Sequence, residues 1–166
     1  MKTTLLLLVL VVLTYSSAMA QETGRIVGTW ELLSYIDTPE KGVPVHPWGQ
    51  KPSGLLIYDD TGHMAVQIQR TPIDRRTAKA TASLKQAEKI DLLGGYTAYF
   101  GKYSVDWQKM TLTHHVEGNL FPVYIGTDQE KYFELSGDQL KLKTSWIEGG
   151  KHWSGVRIFN RLREGN

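Results

Sequence analysis

A chain of 166 residues with 19 basic and 17 acidic side chains carries a formal charge of only +2, so it lacks the clustered cationic surface on which nucleic-acid binding rests. It has no cysteine, which excludes disulfide staples and thiol chemistry and leaves a hydrophobic core as the source of stability.

The N-terminus predicts a cleavable leader. Lys2 supplies a small positive region, Leu5 to Leu13 an apolar run, and Ala18-Met19-Ala20 the small-residue pattern of a leader cleavage site. The run is shorter than the roughly 20 residues a membrane span needs. The expectation is export to the periplasm or the medium without stable membrane insertion, with the cut after Ala20 and one domain over residues 21–166.

Trp30 to Tyr35 reads as the first strand. The connection from Asp37 to Ser53 holds Pro39, Pro44, Pro47 and Pro52, which argue against regular structure, and Trp48 inside it is either an exposed recognition element or folds back over the core. Leu55 to Tyr58 and His63 to Arg70 form a hairpin around Asp59-Asp60-Thr61-Gly62. Between Thr71 and Tyr99 the rhythm changes. Ser83-Leu84-Lys85-Gln86 has the form of a capping box, Leu84, Ala87, Ile90 and Leu93 follow helical spacing, and Gly94-Gly95 ends the helix.

Alternation then resumes. Lys102 to Asp106 with Met110 to Glu117, and Lys131 to Leu135 with Leu140 to Trp146, make two further hairpins before a last strand from Lys151 to Arg161. The predicted fold is all-β: one antiparallel up-and-down barrel of about eight strands with one inserted helix.

Neighbouring residues of a strand face opposite sides, and the apolar member of each pair marks the inside. By that rule Met110, Leu112, His114 and Val116 face inward and Thr111, Thr113, His115 and Glu117 outward. Met64, Val66 and Ile68 face inward, as do Leu140, Leu142, Thr144 and Trp146. The candidate ligand-binding residues are Tyr58, Met64, Val66, Ile68, Tyr103, His114, Phe133 and Trp146, an apolar and aromatic set of the kind that lines small-molecule sites. Partners for His114 are sought in Tyr96, Tyr99, Tyr103 and Tyr124.

Val27-Gly28-Thr29-Trp30-Glu31-Leu32, Gly54-Leu55-Leu56-Ile57-Tyr58, Gly62-His63-Met64-Ala65-Val66-Gln67, Tyr99-Phe100-Gly101-Lys102-Tyr103, Thr113-His114-His115-Val116-Glu117 and Phe133-Glu134-Leu135 resemble, in order, the blocks of the bacterial and fungal lipocalin-like domain family, one branch of the calycin barrels. The resemblance implies a closed barrel with a ligand cavity. It also implies that Gly28 and Trp30 plug one end with Arg161 over the indole, with Arg157 on the same strand face as the competing partner. The chain departs from classical secreted lipocalins in lacking their disulfide cysteines.

The expected function is an exported barrel that binds a small, mostly apolar molecule, with His114 and a tyrosine orienting a carbonyl or hydroxyl on it. Two alternatives share the pattern. One is an enzyme of the same fold, isomerising or cyclising such a molecule with His114 as acid–base; the other is a protein-binding module that works through its loops. No cofactor or metal is implied: the chain has no His-x-His, no His-Glu-x-x-His, no Gly-x-Ser-x-Gly and no phosphate loop.

Overall fold

The computed structural model describes residues 26–72 and 82–163. The predicted leader and its cleavage pattern lie outside the described residues. Eight strands run in chain order: β1 (Gly28–Pro39), β2 (Ser53–Tyr58), β3 (His63–Gln69), β4 (Tyr96–Asp106), β5 (Thr111–Asn119), β6 (Asp128–Ser136), β7 (Gln139–Glu148) and β8 (Lys151–Arg161). Each pairs antiparallel with the next, and β8 pairs back on β1, so the sheet closes into a barrel. Closure gives every strand a neighbour on each side, although β1 meets β2 only over Gly28–Glu31 and β6 meets β7 only over Tyr132–Ser136. A nine-residue helix, α1 (Gln86–Gly94), stands between β3 and β4, and a single 3-10 turn (Pro122–Tyr124) between β5 and β6.

The hairpins at residues 59–62, 107–110 and 137–138 gather at one end of the barrel with the start of β1. Trp30 is fully buried there. Its indole Nε1 donates to the Ile26 carbonyl at 2.9 Å, and the Arg161 guanidinium carbon lies 4.1 Å from its ring centre. Arg161 Nη1 also donates to the Val27 carbonyl. Gly28, at φ 143°, makes room for that guanidinium: a Cβ there would stand 2.6 Å from Nη1. A stacked arginine over an indole adds cation–π attraction to the burial of the ring.

Two bulges interrupt the alternation on the opposite half. In β1, Leu33 is the extra residue, since Leu32 pairs with Phe159 and Ser34 with Ile158. The slip reverses the parity of everything beyond it, so Tyr35 and Asp37 turn inward opposite Arg157 and Gly155. In β5, Glu117 is extra between Val116 and Gly118, and Asn119 turns inward opposite Tyr99.

Four local expectations are corrected. Pro39 is not loop but the last residue of β1, paired with Trp153, a strand-end position that tolerates a missing N–H. Met110 does not face the interior; it sits in a turn at φ 52° and is 38% exposed. Thr111, expected outside, is buried. The helix begins at Gln86 rather than after a Ser83 cap, because the Lys85 backbone N–H finds its acceptor in Glu88 Oε2 at 2.9 Å. Its Ile90 and Leu93 are exposed, and the helix is tied to the barrel by Arg70, whose guanidinium lies 3.2 Å from Asp91 Oδ2. No helix among the described residues is long and apolar enough to cross a membrane.

Candidate functional site

A half-open cavity of 670 Å³ occupies the barrel at the end away from Trp30. Its volume is that of a small-molecule site. The floor is apolar: Leu56, Val66, Leu142 and Phe159, all buried. Above the floor runs a polar belt of Tyr35, Asp37, Tyr99, His114, Lys131 and Arg157. The rim carries Phe121, Tyr124, Asp128 and Glu130, all exposed. The cavity is therefore largely apolar, with a polar belt between its base and its rim.

Of the eight residues that patterning singles out, Val66, Ile68, His114 and Trp146 line the cavity. Tyr58, Met64, Tyr103 and Phe133 lie deeper and fill the closed half. The Tyr58 and Tyr103 rings sit 4.7 Å apart, Tyr103 donates to the Asp59 carbonyl at 2.7 Å, and Phe133 meets Trp107 edge-on at 5.2 Å. An inward side chain in a small barrel is as often filling as lining, because successive layers of the interior are closed by side chains. Trp146 stands near the mouth, stacked at 6.0 Å on Trp153. Trp48 folds back edge-on against Tyr35 at 5.9 Å.

His114 has both ring nitrogens engaged. Nε2 lies 2.7 Å from the Tyr58 hydroxyl and Nδ1 3.0 Å from the Tyr99 hydroxyl. Tyr99 is among the partners that the sequence offers; Tyr58, fifty-six residues away in sequence, is not. Burial holds the His114 pKa well below its ordinary value, with smaller pushes from Lys131 and His115, so the ring is neutral. Burial raises both tyrosines, Tyr58 well above the ordinary phenol value.

Satisfying every buried group assigns the protons. The Tyr58 hydroxyl is buried with His114 as its partner, so it donates to Nε2. The ring proton then resides on Nδ1 and is donated to the Tyr99 oxygen, which leaves the Tyr99 hydrogen to point into the cavity. In this arrangement His114 links the two tyrosines, and Tyr99 is the donor it presents.

Arg157 lies over the Tyr35 ring at 3.7 Å and pairs with Asp37 at 2.8 Å. Burial raises the Asp37 carboxyl, and the Arg157 charge opposes that rise. Gly155 leaves the space in which the Arg157 guanidinium lies; a Cβ there would collide with it. Lys131 projects from β6 on the same face as Phe133 and donates to the Gln129 carbonyl and to Gln129 Oε1, each at 3.3 Å. Burial, reinforced by the nearby Arg157 charge, pushes its ammonium down to about 7.

Sequence reasoning missed Tyr35, Asp37, Lys131 and Arg157 as cavity residues. For Lys131 the signal exists, in its two-residue spacing from Phe133. For Tyr35 and Asp37 there is none, because the Leu33 bulge reverses their faces.

On the outer wall His115 links two strands: Nδ1 lies 2.7 Å from Asp128 Oδ1 and Nε2 2.9 Å from Ser104 Oγ. The order matches a hydrolytic triad, but these residues lie within the β4–β5–β6 ladders, where backbone amides pair across strands, and Ser104 and His115 lie outside the cavity lining. Among the described residues no group of three His, Asp or Glu converges as a metal site.

The lipocalin-like domain profile matches residues 27–162. Comparison with curated proteins gives no match.

Proposed function

Because this chain belongs to the lipocalin-like domain family, we propose that it is an exported barrel that binds a small molecule with an apolar body and a carbonyl at one end. The body rests on the apolar floor and the carbonyl oxygen accepts from Tyr99. The observation that carries this reading is the Tyr58–His114–Tyr99 chain, which directs a hydroxyl hydrogen into the cavity directly above apolar walls. With both His114 nitrogens engaged and its proton affinity suppressed, acid–base catalysis by this residue is disfavoured, and binding is the function the geometry favours. Export follows from the leader, and the exported form begins at Gln21; an intact mass starting elsewhere would overturn that cut.

Trp146 lines the cavity and serves as the reporter. Titrating the protein with 2-octanone and with octane, followed by tryptophan fluorescence, should give tighter binding of the ketone. Tyr99→Phe should weaken the ketone by about ten-fold, the size of one hydrogen bond of about 1.4 kcal/mol, and leave octane unchanged. Equal affinities for ketone and alkane, or a ketone indifferent to Tyr99→Phe, would overturn the carbonyl reading.

A further inference from the structure

Lys131 is the cavity's primary amine, and no carboxylate among the described residues lies within ion-pair distance of it. Asp37 is engaged by Arg157, Asp128 by His115, and Glu130 projects from the opposite face of β6 at the exposed rim. The titratable and charged groups that share the cavity's polar belt with Lys131 are Tyr35 and Asp37 on β1, Tyr99 on β4, His114 on β5 and Arg157 on β8. Its partners are the two Gln129 oxygens, uncharged acceptors that add no negative charge to hold the ammonium form.

We propose that Lys131 is a covalent attachment site for an aldehyde whose apolar chain lies on the cavity floor. This deepens the carbonyl-binding reading and rests on it. The amine lone pair adds to the carbonyl carbon to give a carbinolamine. A carbon–nitrogen double bond then forms as the former carbonyl oxygen leaves as water, carrying away the two hydrogens of the amine. The products are an imine and one water, with no change of oxidation state. Two features of the wall suit this chemistry. Burial and the Arg157 guanidinium disfavour a second positive charge, so much of the amine is unprotonated near neutrality, as a nucleophilic lysine requires. The Tyr99 hydroxyl supplies a hydrogen-bond donor for the departing oxygen.

The experiment uses the mature chain with octanal and cyanoborohydride at pH 7.5, followed by intact mass and peptide mapping, in parallel with the 2-octanone titration. One reduced octyl adduct should concentrate on Lys131, about ten-fold or more above any surface lysine, because an ordinary lysine with a pKa of about 10.4 is almost wholly protonated at that pH. Lys131→Met and Lys131→Gln should each lose that adduct while melting like the parent. Label spread evenly over surface lysines, or unchanged in both variants, overturns the attachment site. If 2-octanone binds through Tyr99 but octanal is not trapped, the imine falls and the binding reading stands. If neither ligand is held, both fall together. An adduct on Lys131 with a ketone indifferent to Tyr99 keeps the attachment site and removes Tyr99 from it.

Discussion

Two arginines four residues apart on β8 show how the barrel's ends differ. Arg161 lies 4.1 Å over Trp30 and Arg157 lies 3.7 Å over Tyr35, and each guanidinium passes close to a glycine, Gly28 and Gly155 respectively. Beneath Arg161 the interior is filled: the indole is fully buried and the guanidinium is capped by the Val27 carbonyl with Asp138 at 3.6 Å. Around Arg157 the space is open: its carboxylate partner Asp37 lies in a cavity wall beside Tyr99 and Lys131. The same stacked-arginine device stabilises the plug at one end and shapes a polar belt at the other. What differs is the volume left beside it.

If the closed end is the structural half, Trp30→Ala should destabilise the barrel more than any single change at the open end. Removing a fully buried indole that also seats Arg161 should cost about 3–5 kcal/mol, read as a large drop in the thermal midpoint. A marginal shift would break the contrast between the ends.

The boundary between the halves is the Tyr58–His114 contact. Tyr58→Phe removes the donor to Nε2 and strands a buried acceptor, at a cost of about 1–3 kcal/mol by chemical denaturation. It should also release the ring to change tautomer and so weaken ketone binding, linking the two halves in one variant. A stability loss with unchanged ketone affinity would separate the relay from the site.

The same residue predicts a pH dependence. In the unfolded chain His114 protonates near its ordinary value, whereas in the folded barrel its pKa is held well below 6.5. The unfolded state therefore binds more protons over that interval, and stability falls as pH drops below about 6.5, by about 1.4 kcal/mol per pH unit until the folded-state value is reached. His114→Gln, which can still bridge the two hydroxyls, should flatten that slope. An unchanged slope would locate the acid sensitivity elsewhere.

The barrel was legible because strand alternation and turn residues are local signals, and the last strand, Lys151 to Arg161, coincides with β8. Facing was legible only where the ladder is regular: Leu112, His114 and Val116 on β5 are buried as alternation places them. Tyr35 and Asp37 were not, since an extra Leu33 has no distinct composition. Tyr58 and Phe133 face inward as patterning places them, but depth along the axis depends on barrel stagger, which a single strand does not encode. Lys131 was hidden by its type, because a lysine on a strand is usually solvated.

The smallest expected effect on stability tests the open end. Thr144 lies in the cavity wall and is only half-buried. Thr144→Trp adds bulk into open space rather than into the core, so the change in stability should stay within about 0.5 kcal/mol, as for substitutions away from packed sites. Ketone binding should nevertheless fall about ten-fold or more, since the added ring occupies volume that the ligand needs. Near-parental melting with lost binding is the signature of a half built to hold something else. A large stability loss instead would mean that the open end is packed as tightly as the plug, and the contrast drawn from Arg157 and Arg161 would disappear.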